Sequence, residues 1–194
     1  MFLRTVLFST LVLVCGGQAM AQRPGPEFWR KVSCEPFEPR TKLEALEDSP
    51  GLIIKGFTRI TTVEGPARID AIEMRDLRTS NNIRIVKGLV VTLRAGTPDA
   101  KWAFVDYDEI DYLLNAIDVV GRVDETATKM PGFEARYRTL GDLEISVFRQ
   151  TRSGIAVIMR AGICDQATQS MSLDDLGKIK AMIQEAKARL DEIR

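Results

Sequence analysis

The sequence predicts an α+β fold made of two pseudo-equivalent halves, each an antiparallel sheet of about four strands followed by a helix. Three observations carry this. Apolar residues alternate with a period of two through most of the chain after residue 51, and sustained helical periodicity occurs only from Asp106 and at the C-terminal end. In addition, "KGLVVTLRAGTPD" (87–99) lies over "SGIAVIMRAGICD" (153–165) without a gap, at an offset of 66. Gly88 meets Gly154, Arg94-Ala95-Gly96 meets Arg160-Ala161-Gly162, and Asp99 meets Asp165. The same register, extended backwards, places "DLRTS" (76–80) over "DLEIS" (142–146), and forwards it brings Ile117 onto Ile183. One ββββα unit used twice, at about 52–120 and 133–194, explains the pattern.

The chain opens with "MFLRTVLFSTLVLVCGGQAMAQ": a single early cation at Arg4, an apolar run to Val14, then Ala19-Met20-Ala21. A charged start, an apolar stretch and an A-x-A site in that order predict an export signal over 1–21, cleaved near Ala21. The run is roughly ten residues, too short to cross a ~30 Å hydrocarbon core. A periplasmic or extracellular location of the remaining chain is the expectation, with no transmembrane segment in it. Removing Arg4 leaves that chain one net negative charge, which gives no long-range attraction to nucleic acid or an anionic membrane.

Residues 22–51 carry Pro24, Pro26, Pro36, Pro39 and Pro50 and predict an irregular arm with one short helix. In "TKLEALED", Thr41 is placed as N-cap and Glu44 as its capping-box partner, with Leu43 and Leu46 as apolar contacts. Cys34 in this arm and Cys164 in the body are the cysteines left after cleavage. In an oxidising compartment they form either one disulfide or two buried free thiols.

Strands are expected at 52–63, 67–74, 83–95 and 101–105. Ile83, Ile85, Leu89, Val91 and Leu93 share one parity, the signature of a sheet with one buried face. The preceding bend falls at Thr79–Asn82 or at Lys87-Gly88. After the connection 121–132, strands resume at 133–140, 143–151, 154–161 and about 164–171, and a helix of about twenty residues closes the chain.

The acidic run "DYDEID" (106–111) sits where the first long helix begins. Under the repeat, Asp106 falls on Ser172 and Glu109 on Asp175, so a capping box is expected at both helix starts. Calcium binding would need alternating oxygen ligands and a glycine bend, which do not follow. Apolar stripes Ile110-Leu113-Leu114-Ile117 and Leu176-Ile179-Ile183-Ala186-Leu190-Ile193 face the core.

Histidine is absent from the sequence, which removes His-based nucleophile pairs, His-ligated zinc and the usual general base near neutral pH. Phosphate-loop, dinucleotide and nucleophile-elbow motifs are also missing. The expectation is a binding or interaction domain, not an enzyme, with no cofactor and no metal. Its partner would be an envelope protein or an anionic ligand, with nucleic acid disfavoured. Arginine outnumbers lysine two to one and is frequent in strands, so an anion site using Arg94 and Arg160 is the second reading. Pairing with acids such as Glu134 and Glu144 is the plainer role for strand arginines. A carboxylate-only hydrolase acting on envelope sugars is the third.

"TKLEALE", "GLIIKGF", "DYDEIDYLLNAID", "FEARYRTLGDLEISVF" and "SLDDLGKIKAMIQEAKARLDEI" resemble a group of exported bacterial proteins with no assigned activity, over nearly the whole chain after the leader. The resemblance implies compartment and carries no catalytic or binding residues. In element order alone, the doubled unit is similar to the ββββα repeats of PUR-repeat and Whirly nucleic-acid binders.

Overall fold

The computed structural model describes residues 38–60, 67–78, 83–124, 126–130, 132–149 and 154–193, with the backbone of 150. The expected leader, arm residues 22–37 and Cys34 lie outside the described residues. The order is α1 (Lys42–Glu47), β1 (Ile53–Ile60), β2 (Ala67–Asp76), β3 (Arg84–Leu93), β4 (Lys101–Asp106), a 3-10 turn (Tyr107–Glu109) leading into α2 (Ile110–Val120), then β5 (Glu134–Arg138), β6 (Glu144–Gln150), β7 (Gly154–Ala161), β8 (Ala167–Met171) and α3 (Leu173–Glu192). Each set of four strands forms its own antiparallel sheet in sequential order, sheet A (β1–β4) and sheet B (β5–β8). The ββββα order therefore occurs twice, as the repeat predicts.

The repeat register holds for the later part of each half. Shifted back by the offset, β8 lands on Lys101–Val105, inside β4, and Gly154, the first residue of β7, lands on Gly88. Two departures follow. The backward extension fails, because Asp76 ends β2 whereas Asp142 precedes β6. And β3 starts at Arg84, so Arg84–Lys87 has no counterpart in β7. β3 runs unbroken through Lys87-Gly88, so the bend does not fall there; its other expected position, Thr79–Asn82, lies outside the described residues. The shared glycine answers two different demands. A Cβ on Gly88 would stand 2.2 Å from the Val105 carbonyl oxygen and 2.7 Å from Leu43 Cδ1, whereas Gly154 adopts φ +78 in open space.

One core serves both halves. Ile69, Leu89, Val91 and Val105 of sheet A, Ile145, Val147, Val157 and Met159 of sheet B, and the stripes of α2 and α3 all belong to it. Val120 and Met182 extend the expected stripes, while Leu114 and Ile193 are only partly buried. A second, smaller core lies on the other face of sheet A, where Leu43 and Leu46 of α1 pack on Ile72, Met74, Val86 and Phe104. Burying those two leucines fully stabilises the fold by about 1.5–3 kcal/mol each. The expected single buried face of β3 is thus corrected: α1 covers the second face, and Val86 and Thr92 are buried on it.

The capping boxes divide in the same way. Thr41 with Glu44, and Ser172 with Asp175, form both reciprocal bonds. Asp106 does not cap the helix that follows it. Its Oδ2 accepts from the Lys42 amide at 2.7 Å and its Oδ1 from the Leu43 amide at 3.1 Å. Thr41 satisfies only the Glu44 amide, so the two amides before it still need acceptors, and Asp106, at the end of β4 beneath α1, supplies both. Glu109 accepts from the Leu140 amide at 2.9 Å, and Asp108 pairs with Lys42 at 2.6 Å. The acidic run ties distant segments together instead of closing a local cap. On α3, Lys178 pairs with Asp175 and Arg189 with Glu192 at i,i+3, and Lys187 with Asp191 at i,i+4.

Candidate functional site

α3 lies across the inner face of sheet A and stops short of its end. The last turn reaches the row formed by Glu73 and Lys87, where Lys87 Nζ donates to the Ile193 carbonyl. Beyond it the face continues through the row Ile54, Arg75, Ile85 and then Leu52 and Ile83. Leu52, Ile54, Ile83 and Ile85 are 64%, 50%, 47% and 46% exposed. Alternation in β3 predicts Ile83 and Ile85 as core; they are not, because among the described residues no helix extends over them. Arg75 is the polar side chain between these aliphatics and turns aside to Glu73. A contiguous aliphatic surface of this kind on a folded domain marks an interaction site more often than chance exposure.

A groove of about 490 Å³ opens beside this patch, lined by Ile85, Val86, Lys87, Tyr107, Leu190 and Ile193. Its origin is topological. The last β3–β4 partners are Gly88 and Asp106, after which β4 gives way to the 3-10 turn. Arg84–Lys87 consequently has β2 on one side and the groove on the other. Along a strand, backbone groups point alternately to either neighbour. Among the described residues, no hydrogen bond reaches this stretch's backbone from the groove side.

The rim is charged but internally paired. Lys42 holds Asp108 below the ordinary carboxylate range and is itself raised by it. The Tyr107 hydroxyl donates to Asp191, and Lys187 lies 3.1 Å from that carboxylate and 5.4 Å from the centre of the Tyr107 ring. Both donors lower the Asp191 pKa, the tyrosine hydrogen bond being the larger cause, while the carboxylate raises that of Tyr107. Glu73 gives one oxygen to Arg75, and its Oε2 is buried without a hydrogen-bond partner.

The arginines singled out by the repeat come to one place without being equivalent. Arg94 follows β3 at φ 52, and its Nη2 donates to the Thr168 carbonyl at 3.2 Å. Arg160 lies within β7, directly opposite Thr168, and its Nη1 donates to Glu144 at 2.6 Å. Each guanidinium thus has an internal acceptor. The same holds for Arg40 and Arg138, which converge on buried Asp142, and for Arg59 at 3.2 Å from Asp70. Arg68 Nε is 2.9 Å from Asp70 but misaligned for a hydrogen bond. Cys164 is exposed, which removes the buried-thiol alternative for it; its pairing with Cys34 involves a residue outside the described set.

A second groove, about 500 Å³, runs between α1 and the turn after β7, with Trp102, Phe104, Glu47, Asp48 and Asp165 on its walls. Glu47 pairs with Lys55, and Asp165 with Lys101 at 2.7 Å. Among the described residues there is no group of three or more acidic or cysteine side chains placed to hold a metal, and no helix is long and apolar enough to cross a membrane.

Of the open-end residues, Ile83 and Ile85 were missed in sequence because alternation placed them on the buried face, and Leu52 and Ile54 because the strand at 52–63 was assigned no face. The signal was present in the repeat: the first four residues of β3 precede Gly88, where the match to β7 starts. No family model, curated protein or solved structure matches this chain.

Proposed function

We propose that the chain is an exported, non-catalytic binding domain that docks a protein partner at the open end of sheet A. The observation that supports this reading is the uncovered aliphatic patch Leu52, Ile54, Ile83 and Ile85, continuous with the groove through Ile85. Burying such side chains removes apolar surface from water, which favours association against the cost of ordering the two partners. The anion reading is weaker, since Arg94 and Arg160 already have acceptors and a ligand would have to displace them. The hydrolase reading is weaker too: Asp108 and Asp191 in the first groove are held low, opposite to the raised carboxyl that a proton donor to a leaving group needs.

The test is photo-cross-linking in intact cells from a benzoylphenylalanine placed at Ile54, with Val119, exposed on α2, as control position. A discrete adduct from Ile54 and none from Val119 is expected. Only uncoupled protein from Ile54, or the same adducts from both positions, would overturn the proposal.

A further inference from the structure

Resting on that docking reading, we infer that the partner enters as an extended peptide segment that pairs with Arg84–Lys87 in the place β4 vacates. The site is defined by backbone first. Two neighbours are needed to satisfy both edges of a strand, and here, among the described residues, one is missing over four residues, a length of about 13 Å. A second strand lies about 4.8 Å from the first, and the groove occupies that side of β3. A helix or a small apolar ligand could fill the volume but would leave the edge groups unpaired, at a cost that an extended backbone avoids.

Side chains then set what the segment carries. An added strand extends the rows of the inner face, so one guest residue stands beside Ile85 and another, two positions along, beside Lys87. The first stands beside exposed Ile85, continuing the aliphatic patch, and is apolar. The second meets the Lys87 ammonium, which gives one donor to Ile193 and has two more, and is acidic. The guest pattern is apolar-x-acid, in either chain direction. In sheet B the corresponding edge is shorter: β8 pairs with β7 from Val157 onward, which leaves Gly154–Ala156 beside β6 alone among the described residues.

The experiment screens the protein lacking residues 1–21 against displayed random heptapeptides and measures the enriched peptides by fluorescence anisotropy. Enrichment of apolar-x-acid sequences is expected, with affinity falling at least tenfold when the peptide amides between those two residues are N-methylated. Ile85→Glu should cause a similar loss, and because Ile85 is exposed the variant should keep its circular dichroism; Lys87→Glu should exchange the preference for acid to one for lysine. Peptides that bind equally well after N-methylation would overturn strand pairing while the docking proposal stands. No enriched peptide, with the Ile54 adduct still formed in cells, would overturn the extended-peptide inference alone; loss of both would overturn the docking proposal as well.

Discussion

Asp106→Ala separates two roles for the acidic run. In the structure this carboxylate, nearly buried, is the acceptor for the first two amides of α1. Removing it leaves two helix amides unsatisfied under Leu43, each costing about 1–3 kcal/mol, partly offset by no longer burying a carboxylate. A net loss of about 2–4 kcal/mol is expected, or roughly 5–15 °C in Tm for a domain of this size. Asp106→Asn keeps one acceptor and should lose about half as much. Urea denaturation followed by circular dichroism gives the free energy, and hydrogen exchange gives the location: the amides of Lys42 and Leu43 should lose protection, and those of α2 should keep theirs. A local cap would produce the reverse, a loss of about 1 kcal/mol with fraying at 107–112. A change below about 0.5 kcal/mol with α1 protection intact would refute the tertiary role.

Gly88→Ala should destabilise by more than 2 kcal/mol or prevent folding, since its Cβ meets the Val105 carbonyl, whereas Gly154→Ala should cost about 1–2 kcal/mol from its positive φ alone; paired urea titrations check the contrast. Glu109 has its pKa raised, chiefly by burial, so its ionisation opposes folding and stability from this group should increase as pH falls through its folded pKa. Glu109→Gln, which retains an acceptor for the Leu140 amide, should therefore stabilise at neutral pH and flatten that part of the pH profile. Asp175 behaves oppositely: its folded pKa is lowered to about 2, first by Lys178 and then by Ser172, so its contribution is present above pH ~4 and lost as pH falls toward 2. Ser172→Ala should narrow that acid-sensitive window, measured by chemical denaturation at a series of pH values.

Local patterns were legible. The Thr41–Glu44 and Ser172–Asp175 boxes, the stripes of α2 and α3, and the ββββα order all follow from spacing that a few neighbouring residues determine. What escaped were features set by distant partners. Asp106 matches Ser172 in the repeat, yet it serves α1, whose unsatisfied amides no helix-start pattern at 106 reveals. Gly88 and Gly154 align, yet one permits close approach and the other a left-handed turn. Arg94 and Arg160 align, yet one lies in a turn and the other in a strand. Alternation in β3 identified which side chains share a face but not where α3 ends above them, and Ile83 and Ile85 stand uncovered for that reason. The excess length of β3 before Gly88 was the available sign that this end of sheet A differs from sheet B.

Amide hydrogen exchange at Arg84–Lys87 in the purified protein tests the open edge most directly. Amides of this stretch that point to β2 should be protected and the alternate ones should exchange nearly as fast as in an unfolded chain. Uniform protection of all four would show that the edge is already occupied, and the extended-peptide inference would fall.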